Sequence, residues 1–135
     1  MKVAFGTDET TELSDRLVRL LREAGHDVVV AGADQPWPDV GRSVGEAVAS
    51  GVAERGVVCC WTGTGVSIAA NKVPGVRAAL CTDGETAAGA RRWNDANVLA
   101  IGLRLTSPAV AHEMLDAFFT TEADPSEAAN IARLP

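Results

Sequence analysis

At 135 residues, 47% of them hydrophobic, the chain is sized for one domain spanning 1–135 with a sizeable core. A formal net charge of −6 with no visible Lys/Arg cluster argues against nucleic-acid binding, because neutralising phosphates takes clustered cations. No apolar stretch approaches a membrane span, no charged leader precedes a short apolar run, and three cysteines, two of them adjacent, do not make a disulfide framework; the expectation is a cytoplasmic protein without membrane contact.

Residues 2–5 read as a first strand, followed by the turn Gly6-Thr7-Asp8-Glu9. Leu13, Leu17, Leu20, Leu21 and Ala24 recur at helical spacing until Gly25 stops them, which predicts a helix over 11–24. Residues 27–31 are the second strand. A loop over 32–39 then leads to Val40, Val44, Val48 and Val52, spaced four apart as one helical stripe. Val57, Val58, Cys59 and Cys60 form an apolar run without alternation, which suits a strand covered on both faces. Residues 76–81 give a fourth strand, 85–92 an alanine-rich helix and 97–101 a fifth strand. Val110, Ala111, Met114, Leu115 and Phe118 mark another helix. Asp124-Pro125-Ser126-Glu127 has a capping residue followed by proline, which predicts a short last helix to 133. Strands alternating with helices imply an α/β fold: a five-stranded parallel, Rossmann-like sheet in a three-layer α/β/α sandwich with right-handed crossovers.

The stretch 56–72, GVVCCWTGTGVSIAANK, is the part with chemical promise. It joins the buried third strand to a helix through Thr62-Gly63-Thr64-Gly65, where little side-chain bulk lets backbone N–H groups approach a ligand, and 67–71 continues as helix. Cys60 ends the strand. A thiolate is favoured near a helix N-terminus, and the same donors can hold an oxygen that gains charge in a transition state. The spacing is neither GxGxxG nor GxxxxGK[ST], so no dinucleotide or nucleoside-triphosphate site is indicated. A packing turn and a cysteine acting as a small hydrophobe fit the same residues. In parallel sheets ligands sit beyond the strand C-termini; with strands one and three as neighbours, Asp8 and Cys60 face one crevice.

The run CCWTGTGVSIAANKVPGVRAALC, followed by NDANVLAIGLRL, closely resembles the ribose-5-phosphate isomerase B and galactose-6-phosphate isomerase family of sugar-phosphate isomerases, in order over residues 1–120. The resemblance implies the three-layer fold, a homodimer or tetramer with a shared cleft, a small sugar or sugar phosphate as substrate, and neither cofactor nor metal. It implies an aldose–ketose isomerase that moves a proton between C1 and C2 through an enediolate. Cys60 aligns with the base of one branch, and Ser67 stands where another branch carries Glu. Thr62, Gly63, Thr64 and Gly65 match the loop that holds the enediolate. Asp8 matches a contact to substrate hydroxyls, Asn94 a substrate-binding Asn, and Arg104 an Arg associated with the phosphate. Each also has a plain structural role open to it: turn, helix stop and exposed strand end.

Departures from the family pattern cluster at the same positions. Glu9 replaces a His, Trp61 a Gly, and Trp93 the His assigned to opening the sugar ring, while the basic C-terminal run is reduced to Arg133. His26 and His112 lie in a turn and on a helix, and both are expected at the surface. Trp37, Trp61 and Trp93 fall where the family lines its cleft, either stacking on substrate or packing at a subunit contact. The expected substrate is therefore open-chain, shorter or unphosphorylated. A noncatalytic ligand-binding or partner subunit of the same family is the alternative, and epimerisation on the same thiol and loop is a third.

Overall fold

The computed structural model describes residues 1–135. In chain order it has β1 (Lys2–Thr7), α1 (Glu12–Glu23), β2 (Asp27–Ala33), α2 (Trp37–Ala49), β3 (Arg55–Cys60), α3 (Thr64–Asn71), β4 (Ala78–Leu80), α4 (Gly84–Asn94), β5 (Val98–Gly102) and α5 (Pro108–Thr120). A 3₁₀ turn (Pro125–Glu127) and α6 (Ala128–Ile131) complete it, so the predicted last helix is split in two, with Asp124 accepting from Ser126 N–H as its cap. No helix is long and apolar enough to cross a membrane.

All strands pair in parallel in the order β2-β1-β3-β5-β4, with β1 and β3 adjacent. The fifth strand inserts between the third and fourth, which leaves β4 at the edge and puts the end of β5 beside the end of β3, Cys60 opposite Gly102. Two core clusters divide the faces. Val3, Phe5, Val57, Cys59, Leu99 and Ile101 pack against Leu17 and Leu21 of α1 and Met114 and Phe118 of α5. Ala4, Val58, Cys60, Val98 and Ala100 pack against Val40, Val44 and Val48 of α2 and Val66 and Ala70 of α3. Burying each large side chain contributes about 1.5–3 kcal/mol, so the sheet is fixed mainly by these two layers.

Helix α2 begins at Trp37, earlier than the valine stripe suggests, because Pro38 lacks the N–H that the first helical turn leaves unused. It ends before Val52, which is exposed beyond the turn at Gly51. Edge strand β4 is shorter than predicted. The Asn71 amide takes both main-chain groups of Ala78, at 2.9 and 2.8 Å, and stands in for a further strand. Asn97 does the same for the turn before it, bonding Arg77 N and Gly75 O. Asp95, left-handed at φ 47°, caps α4 and joins Arg91 (2.8 Å) to Arg77 (3.2 Å). Arg91 is buried and reaches Ala96 O at 2.6 Å, so this ion-pair network ties α4 to β4 and β5.

Helices α2 and α3 touch through Gly41. A Cβ there would lie 2.5 Å from Ala69 Cβ and 2.8 Å from Val66 O, and the backbone of α3 cannot yield to it. Gly41→Ala is expected to lower stability by about 1–3 kcal/mol, read as a lower urea midpoint at unchanged m-value. An unchanged midpoint would show that the two helices slide apart freely.

Candidate active site

The site is built where β1, β3 and β5 end. Register pairs Thr7 with Cys59 and Cys60 with Gly102, so the residue after β1 and the last residue of β3 emerge side by side. The loops are then zipped by main-chain bonds: Asp8 N–H donates to Cys59 O (3.2 Å), Leu103 N–H to Cys60 O (2.9 Å) and Arg104 N–H to Trp61 O (2.9 Å). This brings Asp8, Cys60, Trp61 and Arg104 to one end of the sheet.

The glycine loop lies on top of β5. Gly63 has φ 78°, and a Cβ there would sit 2.8 Å from Gly102 N and 2.6 Å from Leu80 Cδ1, so only glycine fits. Gly63 caps α3 without a side-chain acceptor, and Ser67 N–H is the first to find a main-chain oxygen, Gly63 O at 3.3 Å. The N–H groups of Thr64, Gly65 and Val66 are thus the orphan donors of the helix, with its positive dipole end behind them. Thr62 and Thr64 hydroxyls bond each other at 2.7 Å above that end. Ser67 is half-buried one turn further in. The Trp37 indole lies over Gly65, where a Cβ would come within 2.8 Å of the ring.

Cys60 points to the α2/α3 face and is 5% exposed, whereas Cys59 points to the opposite face and is sealed. Burial drives the Cys59 thiol far above its ordinary value, with the Cys60 and Asp8 charges adding to it, and burial pushes Cys81 up to about 11. Asp8 is the other unusual group. Its Oδ1 is buried without a hydrogen-bond partner, and burial first, then the adjacent Glu9 charge, raise its pKa. Glu9 itself is exposed, its main chain tied to Thr7 Oγ1 through O (2.6 Å) and N–H (3.3 Å). Asp34 accepts Thr10 N–H and Oγ1, both at 2.7 Å, which fixes the β1–α1 loop against the β2–α2 loop.

Trp93 and Asn94 lie apart from Cys60. They line a groove of about 800 Å³ between α4 and edge strand β4. Leu80 separates that groove from Gly63. Both histidines line a different groove, between α1 and α5, where His26 is half-buried against the Phe119 ring at 4.8 Å and His112 is exposed. Sequence reasoning missed Asp95, Asn97 and Asn71 as scaffold residues and Leu80 as a wall; the left-handed tolerance of Asp after Asn94 was the available signal.

A profile described as Ribose/Galactose Isomerase matches residues 3–134. The chain belongs to this family. Ribose-5-phosphate isomerase B of Escherichia coli strain K12 is 38% identical to this isomerase over 87% of its length and 82% of the relative's. A D-erythrulose-4-phosphate isomerase of Pectobacterium atrosepticum is 34% identical over 90% and 84%. The structure of type B ribose 5-phosphate isomerase from Trypanosoma cruzi superposes with a TM-score of 0.92 at 39% identity, covering 98% of this isomerase and 95% of that chain. The protein is a sugar-phosphate isomerase with the family's fold.

Asp8 gives a signed test. Because its pKa is raised above the ordinary 3.8, its protonated form favours the fold, and that contribution is full below 3.8 and lost as pH rises through the raised value. Asp8→Asn is expected to match the wild-type melting temperature near pH 3 and to exceed it near neutrality, followed by calorimetry across pH. A lower melting temperature at neutrality would mean that Asp8 is an ordinary stabilising turn carboxylate.

Proposed function

We propose that this isomerase interconverts the aldose and ketose forms of an open-chain sugar phosphate through an enediolate, with Cys60 as the base. The thiolate takes the proton from the carbon beside the carbonyl, the electron pair moves onto the carbonyl oxygen, and the proton returns to the neighbouring carbon as the double bond shifts. What carries this is the uncapped N-terminus of α3 at the strand end that bears Cys60: fixed N–H donors where an oxyanion would form. Thr62 and Thr64 hydroxyls border those donors and can shuttle a proton between the two oxygens. Asp8 brings a carboxylate to the same strand end for a substrate hydroxyl, with Glu9, Trp61 and Arg104 exposed around it and Ser67 half-buried one turn into α3.

An open-chain substrate fits the residues at hand. Trp93 stands where the resemblance expects the ring-opening histidine, and the chain's own histidines sit in the α1–α5 groove. One relative is named for D-erythrulose 4-phosphate, a four-carbon sugar whose phosphate occupies the oxygen that ring closure would need. Exposed Trp37, Trp61, Ile68 and Leu105 support assembly of at least two copies, tested by light scattering.

The test is hydrogen exchange with deuterated water at C1 and C2 across a panel of open-chain and ring-forming sugar phosphates. Open-chain esters should exchange fastest, and Cys60→Ala should slow exchange by about 10²–10⁴-fold. Full exchange in that variant would eliminate Cys60 as the base. At pH 8 iodoacetamide should label Cys60 ahead of Cys59 and Cys81, with substrate slowing it; labelling of Cys59 first would contradict the arrangement.

A further inference from the structure

Both ends of the loop that bears Asp8 return to one residue, Asp34. It follows β2 in the left-handed region at φ 54°, a conformation that Asp accepts more readily than most side chains. From there its N–H donates to Thr7 O at 3.1 Å. Its carboxylate takes the Thr10 N–H on one oxygen and the Thr10 hydroxyl on the other, both at 2.7 Å. Thr7 and Thr10 bracket Asp8 and Glu9, so a single residue grips the loop before and after its two carboxylates. The Thr10 hydroxyl first, and then the Thr10 N–H, hold the Asp34 carboxyl below its ordinary range, as short bonds to a charged acceptor do. Within the loop, Thr7 Oγ1 donates to Glu9 O at 2.6 Å.

Asp8 needs such a grip. Its Oδ1 is buried with no hydrogen-bond partner, and burial first, then the Glu9 charge, oppose its ionisation, so the carboxylate gains by turning out to water unless the main chain beneath it is fixed. Asp8 N–H ties that main chain to Cys59 O by one bond of 3.2 Å, at the long end of the ordinary range. The turn that carries Asp34 leads three residues on to Trp37 at the start of α2, whose indole lies over Gly65 in the first turn of α3. The short segment 34–37 therefore touches both the Asp8 loop and the helix start that offers the donors.

We propose that Asp34 is a positioning residue for the isomerisation, holding Asp8 at a fixed place relative to the α3 donors and acting through Asp8 rather than on the substrate. This rests on the isomerase reading above and gives the β2–α2 turn a part in it.

Two variants separate the carboxylate from the turn. Asp34→Gly keeps the left-handed backbone and removes the carboxylate, whereas Asp34→Asn loses the charge but keeps an acceptor for Thr10 N–H and a donor for its hydroxyl. In the exchange assay Asp34→Gly should lower kcat/KM by about tenfold or more, and Asp34→Asn should recover most of that loss. In the Asp8→Ala background Asp34→Gly should cost nothing further, because nothing is left to position. Losses that add in the double variant, or wild-type kcat/KM in Asp34→Gly, overturn the assignment. Titration of the Asp8 carboxyl by carbon NMR reads the same contact without turnover: its raised pKa should fall toward 3.8 in Asp34→Gly and stay raised in Asp34→Asn. An unchanged Asp8 titration in Asp34→Gly while Cys60→Ala abolishes exchange removes Asp34 and keeps the base; the shifted titration beside full exchange in Cys60→Ala removes the base and keeps the hold of Asp34 on Asp8.

Discussion

The contact on which this structure depends is main chain against main chain: the Thr62–Gly63 turn resting on Gly102 at the end of β5. A Cβ at Gly102 would lie 2.7 Å from Thr62 O, and one at Gly63 would lie 2.8 Å from Gly102 N. Two glycines facing each other let the turn descend onto the sheet, and the descent aims the first turn of α3 across the end of β3. It also requires β5 to be the neighbour of β3. The strand order is therefore part of the site, since a sheet with β4 beside β3 would remove the surface on which the turn rests.

Inserting β5 moves β4 to the edge, and a three-residue edge strand needs support that a ladder on one side does not give. Asn71, at the end of α3, supplies it by bonding Ala78 on both main-chain groups, while Asn97 and Asp95 fix the preceding turn. The helix that offers donors at its start thus braces the strand carrying Leu80 from its end. Motion of α3 would therefore alter its orphan donors and the bracing of β4 together.

Element types were legible because their signals are local: unbroken apolar runs for β3 and β5, helical spacing for α1 and α5, and a cap with proline before the last turn. Strand order was not, because no local pattern distinguishes a fifth strand that lies outside the fourth from one that lies inside it. The NDAN stretch shows the same limit at residue level. Its family likeness drew attention to Asn94, yet Asp95 and Asn97 within it hold the scaffold, through a left-handed backbone and an amide bridge that become visible only when β4 and β5 are paired. Trp37 falls within the loop expected over 32–39, yet it starts α2, because proline is well accepted in a first helical turn.

The adjacent cysteines show how one residue of register sends two thiols into opposite layers of the core. Side chains alternate across a strand, so Cys59 enters the α1/α5 layer and Cys60 the α2/α3 layer. Only the second shares its side of the sheet with the uncapped start of α3. Slipping β3 by one position would exchange the two sulfurs and point the thiol at the strand end away from those donors, with the hydrophobic content of the run unchanged. Two similar thiols in sequence are consequently unequal in the fold: Cys59 is sealed in hydrocarbon that disfavours its charge, and Cys60 lies in the layer that carries the start of α3.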